Sequence, residues 1–309
     1  EYYKQPFHAY SDGNLSWDAA MEQEIASCSV GARNFPKYGY RGEEMFRTSF
    51  DVALQKLGAY VPQNGVVLDL GCGTGTSTRR LAKLHPQAKK LLGMDLSPYF
   101  IGVGKRLLEL APKSIMEQEQ QKLKVGGTDD DKNIGTWVNT ITPDKRIELT
   151  VGDAAKTQLP DESVDVVNLG LVIHELPSSA AADVVQEAHR VLKPNGQLWI
   201  SEMDFESPAY AKQRSNAMLF SLLRATEPYL DAYADGFQDF LYNVVAREFG
   251  SVKISAATGR HYSMVAIKNS DRKNVGGEKD TSIVEDTRFL SNGNYALDDT
   301  HLNLWESKK

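Results

Sequence analysis

Residues Val67 to Gly75 read VLDLGCGTG: an apolar run, an acid at Asp69, and glycines spaced Gly71-x-Gly73-x-Gly75. A strand-forming run that empties into so bare a loop brings backbone N–H groups and the start of the next helix directly against a ligand. The spacing departs from the usual dinucleotide loop, G-x-G-x-x-G, because the third glycine arrives one residue early. A carboxylate at the mouth of a phosphate loop would repel the phosphate. It suits a ligand that carries an ammonium group and a sulfonium.

From Val66 onward strands and helices alternate, which is the pattern of a parallel sheet with helices on both faces. The spacing predicts strands at 66–70, 90–95, 147–151, 164–169 and 196–201. Two more, at 252–256 and 261–267, form an antiparallel hairpin about Ala257-Thr258-Gly259-Arg260. Ser97-Pro98 starts a helix that reaches about Ala111, with serine as cap and proline at the first helical position. Further helices are read over Val184 to Leu192, Tyr210 to Leu223 and Asp235 to Glu248, the last two separated by Glu227-Pro228-Tyr229. The polar stretch 112–145 is far longer than a usual connection of about 4 to 6 residues and reads as an insertion.

Upstream of the glycine loop, Ser16 caps a helix whose expected apolar face is Trp17, Met21, Ile25 and Cys28. A second helix presents Phe46, Phe50, Ala53, Leu54 and Leu57, and the aromatic turn from Phe35 to Tyr40 between them is placed to act as a lid. The expected organisation is a helical cover (1–64), a sheet domain (65–268) and a polar C-terminal tail (269–309). The sheet domain holds the insertion at about 112–145 and a helical segment on the substrate side at about 203–248. Within the tail, Leu302, Leu304 and Trp305 could pack back on the core.

Composition narrows the function classes. A net charge of -6 gives no general attraction to nucleic acid. Cys28 and Cys72 lack metal-ligand spacing, which argues against a disulfide framework or a zinc site and for a reducing compartment. No stretch approaches the roughly 20 apolar residues needed to span a bilayer. The expected location is the cytoplasm, or an organelle stroma or matrix if a transit peptide preceded Glu1.

Five segments occur in order: VLDLGCGTG (67–75), GMDLS (93–97), GDA (152–154), SVDVVNLGLVIHEL (163–176) and EAHRVLKPNGQLWISE (187–202). Together, over about 65–268, they resemble the class I S-adenosylmethionine-dependent methyltransferases. The resemblance implies an α/β, Rossmann-like doubly wound sheet of seven strands, with strand seven antiparallel. It also implies an enzyme that moves a methyl group from S-adenosyl-L-methionine to a small molecule and leaves S-adenosyl-L-homocysteine. By the same resemblance Gly71, Cys72, Gly73 and Gly75 line the methionine part of the cofactor, and Asp69 helps hold its ammonium end. Asp95, with Leu96 beside it, accepts the ribose hydroxyls; Asp153 and Ala154 meet the adenine; Leu169 floors the pocket near the reacting methyl.

The acceptor side is read from topology, since ligands of open α/β sheets bind beyond the carboxyl ends of the strands. Tyr38, Tyr40, His174, Glu202, Met203, Tyr229, Tyr233, Arg260 and His261 fall there. His174 is the best placed general base if the acceptor is a hydroxyl. Arg260 with His261 suggests a clamp for a carboxylate. The strand-four end reads Asn168-Leu169-Gly170-Leu171 rather than Asn/Asp-Pro-Pro-aromatic, so hydroxyl, carboxylate or thioether is favoured over nitrogen. His174-Glu175 opens like a zinc-protease H-E-x-x-H, but Ser178 stands where the second histidine belongs, and no metal is expected. Two other readings remain: an NAD-dependent oxidoreductase, which the shifted third glycine and Asp69 disfavour, and a non-catalytic module that binds S-adenosylmethionine.

Overall fold

The computed structural model describes residues 2–4, 6, 8, 10–122, 143–269 and 281–297. Helices α1 (Trp17–Asn34) and α2 (Gly42–Lys56) precede the sheet, joined by a 3-10 turn, Pro36–Arg41. Then come β1 (Val66–Leu70), α3 (Thr76–Leu84), β2 (Lys90–Asp95), α4 (Pro98–Lys122), β3 (Ile147–Val151), β4 (Val164–Gly170), α5 (Ser178–Val191) and β5 (Leu192–Met203). After β5 the chain forms α6 (Pro208–Ser215), α7 (Ala217–Thr226), α8 (Leu230–Asp239), a π turn Phe240–Val245 and α9 (Ala246–Glu248). It closes with β6 (Ser251–Ala256), β7 (His261–Ile267) and β8 (Val284–Asp286).

All the strands share one sheet in the order β3-β2-β1-β4-β5-β7-β6-β8. Strand β7 runs antiparallel to both its neighbours, and the other pairs are parallel. The central strands are continuous apolar runs because helices cover both faces. Val67, Leu68, Leu70, Val166, Val167, Leu169, Leu198 and Ile200 are all buried. Helix α5 lays Ala181, Val184, Val185, Ala188 and Val191 on one face, and α2 covers another part with Phe46, Phe50, Ala53 and Leu54.

Three expectations change. The sheet has an eighth strand, drawn from the segment read as a polar tail: Val252 pairs with Val284, Lys253 with Glu285 and Ile254 with Asp286. So short and charged a strand carries no hydrophobic alternation that would mark it in the sequence. Helix α4 continues to Lys122 instead of ending near Ala111. The rest of the expected insertion, 123–142, lies outside the described residues, as do Leu302, Leu304 and Trp305.

The third change is the orientation of α1. Trp17, Met21 and Ile25 are 57%, 68% and 58% exposed, and the inward residues are instead Ala19, Ala20 and Gly31. Close approach explains this, since a Cβ on Gly31 would come within 2.3 Å of Glu43 Cα. A small inner face lets α1 lie tight against α2, and two polar residues beside it reach the glycine loop. Among the described residues no helix is long and apolar enough to cross a membrane.

Candidate cofactor and acceptor site

Strand β1 lies between β2 and β4, so the chain leaves β1 toward one side of the sheet and β4 toward the other. A crevice opens at such a switch point, beyond the carboxyl ends of the strands. The glycine loop forms one lip of it and residues 171–175 the other. A Cβ on Gly71 would lie 2.5 Å from the Val172 side chain, which shows how closely the lips approach.

Gly71, Gly73 and Gly75 all adopt left-handed backbone, with φ of 69°, 57° and 85°. This conformation is strained for any other residue. The N–H groups of Gly71 and Cys72 donate to the Met94 carbonyl at 2.8 and 3.1 Å. Gly73 N–H donates to Asp95 Oδ2 at 2.9 Å, and Ser97 N–H to Asp95 Oδ1 at 2.8 Å. Each Asp95 oxygen therefore takes one backbone donor and retains capacity for another. Burial pushes this carboxyl up to about 6. A vicinal diol, with two O–H donors, matches the arrangement, so the residues present fit the ribose of the expected cofactor.

Asp69 does not reach the crevice. It is 1% exposed. Its Oδ2 accepts from Ser77 and Thr78, each at 2.6 Å, and its Oδ1 from Asn168 at 2.7 Å. It braces β1, the first turn of α3 and β4, so all its direct contacts are within the protein rather than in the crevice. Leu169 is likewise wholly buried in the core, and the half-buried Leu171, with φ of 60°, and Val172 follow it onto the lip. Cys72 packs against Ile101 and Leu149, and burial raises its thiol well above the usual range. Asp153 is exposed and accepts from Ala155 N–H at 2.9 Å, with Ala154 and Leu96 half-buried.

The inner face of α1 caps the loop. Gln23 Oε1 accepts Thr74 N–H at 2.7 Å, and a Cβ on Gly73 would lie 1.9 Å from Gln23 Nε2. Glu24 accepts from the Thr74 and Thr76 hydroxyls at 2.6 and 2.8 Å and pairs with Arg79 at 2.6 Å. Burial opposes ionisation of Glu24, but Arg79 and the hydroxyls outweigh it and hold the carboxyl below its ordinary value. Sequence reasoning missed both residues because the apolar spacing of α1 points to its opposite face.

On the acceptor side, His174 Nδ1 lies 3.0 and 2.9 Å from the two carboxylate oxygens of the fully buried Glu202. Burial disfavours a charged imidazole, yet Glu202 dominates and His174 is pushed up to about 10. The Nδ1 side of the ring is thus taken up by Glu202, and the ion pair holds the imidazole against the wall after β4. His261 is the reverse: burial, aided by Arg260 and His174, lowers it to about 3. Its Nδ1 is 2.8 Å from Thr258 Oγ1 and its ring packs edge-on against Phe46 and Phe50. It is neutral and turned into the core, so of the expected carboxylate clamp only the half-buried Arg260 carries a charge.

Met203 and Tyr233 belong to the same buried layer, and the Tyr233 hydroxyl donates to the Met203 carbonyl at 2.5 Å. Tyr38 and Tyr229 are half-buried, Tyr38 beside Phe35 with ring centroids 6.2 Å apart. The Tyr40 side chain lies outside the described residues. The structure also gathers a group that the sequence did not single out. His8 Nε2 lies 2.9 Å from Glu227 Oε1 and 3.9 Å from Glu175 Oε1, and Asn14 Nδ2 donates to Glu175 Oε2 at 3.3 Å. Burial pushes Glu175 up to about 7. These partners come from distant parts of the chain and share no spacing. Among the described residues no group of histidine, cysteine or acid has the geometry to hold a metal ion.

Left-handed glycine loop, strand-end carboxylate and strand order together define a Rossmann-like α/β fold with a crevice at its switch point. Comparison with known proteins gives the next step. Residues 68–200 match the family model described as a methyltransferase domain. The chain is 32% identical over 135 residues to a demethylmenaquinone methyltransferase of Lactobacillus johnsonii, covering 44% of this chain and 42% of the relative. It is 27% identical over 199 residues to one of Bacillus licheniformis, covering 64% and 69%. The chain thus spans about half the length of the curated relatives it matches. A solved S-adenosylmethionine-dependent methyltransferase of Methanosarcina mazei superposes with a TM-score of 0.42 at 16% identity, covering 69% of this chain and 97% of the other. Over residues 68–200, then, the chain is similar to a methyltransferase domain.

Proposed function

We propose that the chain transfers the methyl group of S-adenosylmethionine to a small-molecule acceptor, at a hydroxyl, carboxylate or thioether, by in-line displacement. The observation that carries this reading is the Asp95 carboxylate, placed at the end of β2 with one backbone donor on each oxygen and facing the left-handed glycine loop. When bound, the cofactor supplies a sulfonium whose methyl group is already activated, so the protein contributes mainly positioning and exclusion of water.

Asp95 orients the ribose, and the glycines, with no side chains of their own, let a ligand approach the loop backbone closely. Helix α1 covers the loop through Gln23 and Glu24 and keeps water out. The His174 to Glu202 ion pair fixes the wall after β4 rather than moving a proton.

Calorimetry with S-adenosylmethionine, S-adenosylhomocysteine and NAD tests the donor. Binding of NAD alone would overturn the reading in favour of an oxidoreductase. Transfer of labelled methyl to phenols, thioethers, small acids and amines then tests turnover. Demethylmenaquinone belongs in that panel because relatives carry its name. Cofactor binding with no transfer to any acceptor leaves the binding-module reading.

A further inference from the structure

Glu227 stands between α7 and α8 and is 8% exposed. Its Oε1 meets His8, while its Oε2 is buried with no hydrogen-bond partner among the described residues. A buried carboxylate oxygen without a donor is costly, and in a folded protein it calls for a partner. The same residue lines an open cleft of about 340 Å³ with Ser221, Arg224, Ala225, Pro228 and Asp231. Arg224 does not answer the need, because it pairs with Asp231 at 2.5 Å.

Toward the crevice, His8 lies between Glu227 and Glu175, and Glu175 feels the charge of Asp95. Behind them His174 is matched to Glu202. With His174 matched by Glu202, His8 alone faces Glu227 and Glu175, so the group is short of positive charge whenever Glu175 is ionised. At these separations in a partly dry site, an added cation is attracted and an added anion repelled.

We propose that Glu227, together with His8 and Glu175, forms a subsite for an ammonium group carried by the methyl acceptor and admitted from the cleft. This rests on the methyl-transfer reading above. The ammonium N–H fills the open valence of Glu227 Oε2 and its charge offsets the surplus of carboxylates. A neutral alcohol supplies the hydrogen bond without the charge, and a carboxylate supplies neither. The ammonium is an anchor, distinct from the atom that receives the methyl group.

The test titrates benzylammonium, benzyl alcohol and benzoate into the full chain saturated with S-adenosylhomocysteine, followed by calorimetry. Benzylammonium is expected to bind at least about tenfold more tightly than the alcohol, with benzoate weakest. Glu227→Gln is expected to weaken benzylammonium about tenfold or more, through the lost charge-assisted bond, while leaving S-adenosylhomocysteine affinity unchanged. Glu148→Gln, on the exposed sheet edge, is the control and is expected to change neither. Benzoate binding as tightly as benzylammonium, no binding of any probe, or unchanged benzylammonium affinity in Glu227→Gln overturns the subsite. If S-adenosylhomocysteine itself fails to bind the unaltered protein, the methyl-transfer reading falls alone. The same titration without it then decides the subsite.

Discussion

At Asp69 and Asp95 one kind of side chain, at the ends of adjacent strands, meets two environments and takes two jobs. Asp69 is saturated by three side-chain donors, whereas Asp95 holds one backbone donor on each oxygen. Replacement should separate the two roles. Asp95→Ala removes two charge-assisted acceptors, so S-adenosylhomocysteine affinity is expected to fall by about 10- to 100-fold, corresponding to about 1.5–3 kcal/mol, as read by calorimetry. Asp69→Ala is expected instead to lower stability by about 2–4 kcal/mol in urea unfolding, because it strands buried donors. Both aspartates were visible in the sequence, but the difference between them was not, since it depends on Ser77, Thr78 and Asn168 turning toward one and away from the other. His174 shows the same limit. Its place after β4 followed from topology, while its charge is set by Glu202 on the neighbouring strand. His174→Ala leaves that carboxylate buried and unpaired and is expected to cost about 3–5 kcal/mol of stability.

Among the elements, α2, α5 and the central strands follow their hydrophobic periodicity, because each buries one continuous apolar face. Helix α1 and strand β8 do not, because polar contacts hold them. Helix α1 docks by Gln23 and Glu24, and Gln23→Ala removes one neutral hydrogen bond from the loop and bares the surface over Gly73. At about 1 kcal/mol for such a bond, the S-adenosylhomocysteine association rate is expected to rise by about fivefold in stopped-flow measurements. An unchanged rate would mean that α1 does not gate the loop. Strand β8 is held by Arg288, 1% exposed, which pairs with Asp204 at 3.0 Å, Glu206 at 2.9 Å and Asp286 at 2.7 Å and lies over the Phe237 ring. Tyr295 adds a hydrogen bond to Asp204 at 2.6 Å. Arg288→Ala leaves Asp204 buried without its cation and is expected to cost about 3–5 kcal/mol. Faster hydrogen exchange across Val284–Asp286 would locate the damage in β8.

For the molecule as a whole, the buried histidines oppose one another with pH. His261, lowered to about 3, is neutral in the fold, so its contribution is present above its ordinary value of 6.5 and is lost as pH falls from there toward 3. His174, raised to about 10, contributes fully below 6.5, and that contribution is lost as pH rises through 10. Glu175, raised to about 7, binds its proton more tightly when folded, so it favours the fold below 4.5 and this support fades by about pH 7. On these three groups, urea midpoints are therefore expected to rise from about pH 3 to about 4.5, to stay level to about 6.5 and to fall above it. A steady rise to pH 9 would contradict these assignments. At this scale the sequence was most informative: the parallel strands, the hairpin and the glycine loop all follow from alternating elements and one short motif. The acceptor side was least legible because His8, Glu175 and Glu227 meet only after folding.

The outward apolar strip of α1 bears on how a ligand would reach the crevice. Trp17, Met21 and Ile25 are already in water, while the face turned to the loop is made of small and polar residues. Lifting α1 away would therefore wet mainly the small patch of Ala19, Ala20 and Phe100 between α1 and α4. Its opening should carry a small heat-capacity change and depend more on the competition of water for hydrogen bonds than on temperature or salting-out agents.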